Sequence, residues 1–596
     1  MPVRIRAALA DRMALFATIW SASPLLTLLG LALLVVAPVL TVVVAAASGA
    51  VLTAVITGQT WPQVSPLVVI LVVAMAVAPL SSAGAAWLAE ELDARRLANQ
   101  HVDLARTALA PRGIDHLEDT TDRGRLTGLS TTLGDWRNRR AVASTSAVIA
   151  LRLTGVGCLV GLALQWHWWV GVMVAIAEFA VGARFRRYIA TLLAAWIPEP
   201  GSPRHRGRYL GGLLTSSDAA KEVRLFGLTD WLLGAWQVQF DLATDNPDQR
   251  RELRGSLRWA WLLTLAYGIA FGLLAVEAWS GAVSAGQVLT TLQLLALLSY
   301  FGMLGDQQSA MVFAGELASR GRRLRQALGG TRPRPASPPQ NEIRRPSSDV
   351  ETPAFSFTGV HFRYPGAGHP VFDSLDLTVP RGQTLGVVGV NGAGKSTMIK
   401  LLTGLYRPDR GSVTVAGLPA HEADGRVTAI LQQFTHWELS LRDNVALGAA
   451  LSTSEVRTAL AEAGADGFSA TIELDTLLSA RFPGGRDLSG GQWQRVALAR
   501  ALATLPRGAE ILVLDEPTSA LDIRAEAALF DDFAARTRDI TTVLVTHRLS
   551  SVRHADRIVV IDQGRVAEDG SHEELMALRG HYHRMFTTQA RRFHQS

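Results

Sequence analysis

The sequence holds one cysteine, Cys158, in 596 residues. It lies inside an apolar run, and a single thiol excludes both an intrachain disulfide and a cysteine-based metal cluster. Lysine is almost as scarce: Lys221, Lys395 and Lys400 are the three among 58 Lys+Arg residues. Charged residues make up 18% of the chain against 48% hydrophobic, and the mean hydropathy is positive. That is too apolar for a purely soluble protein of this length, which itself suggests several domains. The basic N-terminus (Arg4, Arg6, Arg12) lacks a short apolar core with a small-residue cleavage site, so no cleaved signal peptide is expected. The net charge of +6 suggests nucleic acid at first sight. The arginines crowd the segments between apolar runs, however, as in the cytoplasmic loops of membrane proteins. No nucleic-acid partner is expected.

What is present is a set of apolar runs, and six of them reach the length of about 20 residues that a bilayer demands. They fall at 24–47, 66–88, 143–164, 167–183, 259–279 and 286–305, the fourth with a helical continuation through Tyr188 to Trp196. The loops after the first, third and fifth runs carry no Lys or Arg. The segments after the second and fourth are long and carry Arg95, Arg96, Arg112, Arg139, Arg186, Arg206, Arg224 and Arg251. By the positive-inside rule both termini and both long segments are cytoplasmic, in the cell membrane. The long segments are helical in pattern. Pro111-Arg-Gly113 breaks the first, and in the second Ser217 and Gly227 are placed to cap and end a short helix. Trp166, Trp168, Trp169 and Trp279 gather at the outer boundary, where amphipathic rings are favoured. Arg152 and Glu178 lie within the third and fourth runs at matching depth, counted from the outer loop. A structural pair and contact with cargo are both open to them.

Residues 329–352 have the Pro, Ser and charge content of a linker. They divide the chain into an all-α membrane domain of six transmembrane helices, 1–328, and a second domain, 353–596. In the latter, short apolar strands alternate with helical runs, the pattern of an α/β fold. Strands are expected at 354–358, 385–388, 412–415, 428–431, 511–514 and 542–545.

The second strand runs into Gly389-Val390-Asn391-Gly392-Ala393-Gly394-Lys395-Ser396-Thr397 and then a helical run. Strand, glycine loop and helix are the context in which G-x-x-x-x-G-K-[ST] means a P-loop. Backbone N–H groups cradle anionic oxygens, and the helix N-terminus adds donors and a positive dipole end. Lys395 would reach the β- and γ-phosphates, and Ser396 would ligate Mg²⁺. A chain that writes nearly every positive charge as Arg writes Lys here, where a compact point charge is needed. Further on, the apolar strand 511–514 ends in Asp515 and Glu516. Asp515 would hold Mg²⁺, directly or through water, and Glu516 would orient the attacking water. Leu488-Ser489-Gly490-Gly491-Gln492 opens another helical run and is a second phosphate cradle. One P-loop does not need it on the same nucleotide. Its simplest use is to close over a nucleotide held by another copy.

Those five residues match the signature motif of the ATP-binding cassette family, which the whole chain resembles. The resemblance implies an α/β P-loop ATPase binding ATP and Mg²⁺. Tyr364 resembles the aromatic residue that stacks on adenine. Gln432 resembles the Q-loop glutamine that senses Mg²⁺, and Asp522 lies in a D-loop-like Ser519-Ala-Leu-Asp522. His547 resembles the switch histidine near the γ-phosphate. One departure stands out: the acidic stretch common before the signature reads Ser479-Ala-Arg-Phe-Pro-Gly-Gly-Arg-Asp487, with Arg481 and Arg486 in its place. The order of parts resembles an exporter-type half-transporter, with coupling helices near 111–119 and 217–228. It implies a partner subunit, identical or different, an ATP sandwich and a transported amphipathic substrate. The Lys221–Gly227 stretch leans toward peptide export. No N-terminal peptidase domain is expected. An importer on the same scaffold is the alternative, and a non-transporting cassette ATPase fits six attached spans poorly.

Overall fold

A computed structural model describes residues 2–194, 202–244, 247–302, 305–328, 352–516 and 540–594. It divides into two compact units, Met1–Ala110 with Thr120–Arg332, and Pro111–Asp119 with Pro333–Ser596. The expected linker lies outside the described residues except for Thr352.

The described residues of the first unit are helical apart from short connections. Among them six helices, counting an interrupted sixth, are long and apolar enough to cross a membrane. The first runs Pro24–Ile56 and the second Trp61–Leu109. The loop expected at 48–65 therefore shrinks to four residues, 57–60. Small apolar residues extend the first helix, and Thr60 with Gln63 forms a capping box that fixes where the second begins. The second helix is 49 residues long, so it continues well past the bilayer as one rod of about 73 Å. The third helix is Ala141–Gln165 and the fourth Trp168–Ala194, which carries the expected extension from Tyr188 to Ala194; Ala195 and Trp196 lie outside the described residues. The fifth is Pro247–Trp279. Between the fourth and fifth stand Pro203–Thr215, Ser217–Leu225 and Thr229–Thr244. Ser216, not Ser217, caps the middle one, accepting from the N–H of Ala219 at 3.3 Å. The cap falls one residue early because Ser216 has the extended backbone that a cap requires. Gly227, at φ +63°, ends the turn as expected.

The sixth span departs from expectation. Its helix Ala285–Leu298 passes into one 3₁₀ turn, Ser299–Phe301, and Gly302 (φ −86°, ψ −125°) leaves the helical path; a helix resumes as Gly305–Leu328. Freed carbonyls at membrane depth need donors. Arg152 of the third helix supplies them, to Phe301 and, at 3.3 Å, to Gly302. Glu178, buried in the fourth helix, accepts from the Tyr267 hydroxyl of the fifth at 3.0 Å. The two intramembrane charges thus spend their hydrogen bonds on the break and on Tyr267. Gly182 lies directly against this point: a Cβ there would stand 2.7 Å from the Gly302 carbonyl oxygen. At the outer end, Glu277 accepts from Trp166 at 2.6 Å and stands 2.8 Å from His167 Nε2, while Trp168 and Trp279 remain exposed.

The second unit holds two sheets. Strands β1 (Phe355–Phe362), β2 (Phe372–Val379), β4 (Arg410–Val415) and β5 (Leu418–Pro419) form an antiparallel sheet in the order β2-β1-β4-β5. The other sheet contains β3 (Thr384–Val388), β6 (Val427–Ile430), β7 (Ile511–Asp515), β8 (Thr541–Val545), β9 (Arg557–Asp562) and β10 (Arg565–Gly570). Its order is β10-β9-β3-β8-β7-β6, parallel except for the β9–β10 hairpin. β7 and β8 are buried along their whole length, as parallel strands covered on both faces must be. All six expected strands are present, and β2, β5, β9 and β10 join them. The parallel pairing sends the segments after β3, β6, β7 and β8 to one edge, where open α/β sheets bind ligands.

Segment 111–119 belongs to this unit. Its short helix Asp115–Glu118 is held by Ile114 N–H donating to the Leu405 carbonyl at 3.0 Å. Glu118 accepts from Lys400 at 3.1 Å and from the Tyr406 hydroxyl.

Candidate nucleotide site

The loop after β3 turns through Gly392 (φ +83°) and Gly394 (φ +105°), conformations that favour glycine. Gly394 is also the N-cap of the helix Lys395–Leu402, and a Cβ on it would meet the Phe372 ring at 2.8 Å. Gly389, Asn391 and Ala393 complete the turn. Val390, Asn391 and Gly392 face solvent, while Ala393 and Thr397 pack inward. The Lys395 ammonium donates to the carbonyls of Gly389 at 2.8 Å and Val390 at 3.1 Å. Burial lowers its pKa, and the charges of Glu516 and Asp515 partly offset this.

Asp515 ends β7, buried, with its pKa raised to about 6 by burial and by the neighbouring charge of Glu516. The Gln432 backbone N–H and the Ser396 hydroxyl both hydrogen-bond to it. Glu516 sits at φ +51°, a left-handed conformation that costs a non-glycine residue roughly 1–2 kcal/mol. Its N–H, donating to the Val545 carbonyl at 2.8 Å, helps hold it there. The turn aims the carboxylate between two neighbours. Gln432 Nε2 donates to Oε2 at 2.8 Å, and His547 Nδ1 stands 3.1 Å from Oε1. Four residues read separately in the sequence, Gln432, Asp515, Glu516 and His547, therefore meet beside Ser396 and Lys395.

The Ser396 hydroxyl, the Asp515 carboxylate and the Gln432 amide oxygen are hard oxygen donors of the kind Mg²⁺ takes. With the Ser396 hydroxyl bonded to Asp515 and the Gln432 carboxamide on the adjacent Glu516, the donor set fits that ion.

The ABC transporter family profile matches residues 372–519, which contain the P-loop, the signature and the Asp515–Glu516 pair. Residues 372–519 are thus similar in sequence to the ABC transporter ATP-binding cassette. The chain is a multi-pass membrane protein with its cassette after the spans. It is 30% identical over 388 residues, 62% of its length, to the subtilin transport ATP-binding protein SpaT of Bacillus subtilis. It is 38% identical over 255 residues, 40% of its length, to the mycobactin import ATP-binding/permease protein IrtB of Mycobacterium bovis. The chain spans 60% of the first relative and 41% of the second. Its fold matches a bacterial Atm1-family ABC exporter solved with ATP bound, at TM-score 0.69 and 23% identity, covering 97% of this chain and 98% of that one.

The signature of the cassette forms a capping box. Ser489 Oγ accepts from the Gln492 N–H at 3.4 Å, and the Gln492 side chain accepts from the Ser489 N–H at 2.9 Å. This fixes the start of the helix Gly490–Leu502, with Ser489 and Gly490 exposed and Leu488 and Trp493 buried beneath. His436, four residues past Gln432, stacks on Trp493 at 4.5 Å and 2°. Arg481 pairs with Glu438 at 3.0 Å, so the departing stretch is tied to the segment after Gln432.

Tyr364 is packed. Its ring meets Phe362 and Tyr406 edge-on at 5.0 and 5.3 Å, Lys400 Nζ lies 5.2 Å from its centroid, and its hydroxyl is 3.0 Å from Thr397 Oγ1. Asp522 lies outside the described residues. One contact had no signal in the sequence. Gln589, on the C-terminal helix His581–His594, donates to the His547 carbonyl at 2.9 Å and accepts from the Leu549 N–H at 2.7 Å.

Proposed function

We propose that this protein is an ATP-driven exporter of an amphipathic substrate, working as a dimer of half-transporters in the cell membrane with both termini cytoplasmic. The observation that carries the reading is the meeting of Gln432, Glu516 and His547 at the P-loop edge, in a chain with six spans. ATP binds by its phosphates on residues 389–397, with Lys395 at the β- and γ-phosphates. Ser489, Gly490, Gly491 and Gln492 of each chain cap the nucleotide held by the other. The exposed, pre-capped helix start supports this role, because its free N–H groups and dipole face outward.

Ser396, Asp515 and Gln432 would hold Mg²⁺, which supplies charge neutralisation at the β- and γ-phosphates when bound. Glu516 positions the attacking water and takes its proton, oriented from opposite sides by Gln432 and His547. His547 lies close to the γ-phosphate and senses its loss. Tyr364 meets adenine with whichever part of its ring the Phe362–Tyr406 cluster leaves open. Closure of the sandwich moves segment 111–119 with the cassette, and hydrolysis resets it.

The cargo reading leans toward a peptide, supported by the subtilin transport relative; a lipid or drug is the other class. Import is the competing direction, favoured by the mycobactin import relative. Purified protein in liposomes, with ATPase stimulation and transport screened over peptides, lipids and drugs, tests the function. Uptake in inside-out against right-side-out vesicles separates export from import, and accumulation only in right-side-out vesicles would sink the export reading.

A further inference from the structure

We propose that Gln589 is a positioning residue for His547, acting through both ends of its carboxamide. The inference rests on the ATPase reading above. One side chain reaches two backbone groups on the segment after β8: the exposed His547 carbonyl and the part-buried Leu549 N–H. Its amide bonds both, at 2.9 and 2.7 Å. A carboxamide carries one donor and one acceptor end at fixed separation, so this contact sets the spacing and tilt of residues 547–549. The His547 ring leaves that backbone to reach Glu516 Oε1 at 3.1 Å. A shift in the segment is a shift of the ring against Glu516.

The helix that carries Gln589 is itself firmly fixed. Glu568 of β10 accepts from the N–H groups of His581 and, at 2.9 Å, Tyr582, capping the helix with a carboxylate. The Tyr582 ring is fully buried in the main core of the second unit, with its hydroxyl 2.9 Å from His572 Nδ1. From Tyr582 to Gln589 is seven residues, about 10 Å of rigid helix. The chain Glu568, Tyr582, Gln589, His547, Glu516 thus links the edge hairpin to the hydrolytic carboxylate through one terminal helix.

The test is steady-state kinetics of the full-length protein in detergent or liposomes, with ATP binding read by a fluorescent ATP analogue. Gln589→Leu keeps the volume and loses both bonds. Gln589→Glu keeps the acceptor for Leu549 and loses the donor to His547. Both are expected to lower kcat by about tenfold with KM unchanged, the effect of one lost hydrogen-bonded pair. Thr588→Ala removes a hydroxyl bonded within its own helix, to Arg584. It is expected to leave kcat alone.

A double-mutant cycle with His547→Ala supplies a readout that general destabilisation would not move. In that background Gln589→Leu is expected to cost nothing further. Additive losses, or wild-type kcat in Gln589→Leu, would overturn the positioning role while leaving the ATPase reading intact. Absence of ATPase activity in the wild-type protein would overturn both.

Discussion

Gln432 Nε2 and Glu516 Oε2 share a 2.8 Å hydrogen bond across the ends of β6 and β7. They are 84 residues apart in the chain. The bond places the residue proposed to sense Mg²⁺ directly on the residue proposed to activate water. A change at one is felt at the other without an intermediary.

Glu516→Gln keeps the shape and the hydrogen-bonding reach of the side chain and removes the base. We predict that phosphate release falls by about 10²–10³-fold, the usual worth of general base catalysis, with ATP binding retained. Size-exclusion chromatography with ATP should then show a stabilised dimer. A wild-type turnover rate in this variant would disprove the assignment.

Asp515 gives a pH signature. Its pKa, raised to about 6, means the folded chain holds this proton more tightly than an unfolded one. Its contribution to stability is therefore present at low pH and is lost as the pH rises through about 6. Metal binding runs the opposite way, because only the carboxylate ligates. The Mg²⁺ concentration needed for half-maximal ATPase should climb as the pH drops below that value. Mg²⁺ dependence measured on both sides of it checks this, and a flat response would count against Asp515 as a ligand.

Glu118 holds segment 111–119 to the cassette through Lys400 and Tyr406. Glu118→Ala removes both contacts but touches nothing in residues 389–397. We expect unchanged ATP affinity and a fall in the number of substrate molecules moved per ATP hydrolysed. Liposome transport assayed alongside phosphate release measures that ratio. An unaltered ratio would mean that Glu118 takes no part in transmission.

Gly182→Ala would set a methyl against the Gly302 backbone, where the Cβ-to-carbonyl distance is 2.7 Å. The loss should be about 1–3 kcal/mol, as for overpacking elsewhere. Thermal unfolding in detergent should show a lowered Tm. Gly212→Ala, with nothing within 4 Å of the added carbon, serves as the helical control and should hold or raise it.

The P-loop, the signature and the strand ending in Asp515 and Glu516 were legible because each is a local device. A glycine turn, a capping box and a buried strand are set by neighbours a few residues away. The six spans were legible for a similar reason, since bilayer thickness dictates run length. The break at Ser299–Phe301 was not, because residues 286–305 carry no charge and no proline to mark the point. What ends the helix lies on other spans: Arg152 offers donors and Gly182 offers room. β2 and β10 were likewise missed, since these edge strands mix polar and apolar residues and become strands through pairing with β1 and β9. Tyr364 is expected from the sequence to stack on adenine, and its ring direction in the structure follows from packing against Phe362 and Tyr406.

By itself the sequence determined the chemistry available: which loop has the glycines and lysine of a phosphate cradle, which carboxylates end a strand, which runs suit a membrane. Residue type and short spacing are enough for that. The tertiary structure alone decided which groups touch. It put Gln432 on Glu516, Gln589 behind His547 and Arg152 on the broken sixth span. Those contacts join elements far apart in the chain, and their geometry is set by sheet order and helix packing, to which local periodicity is blind.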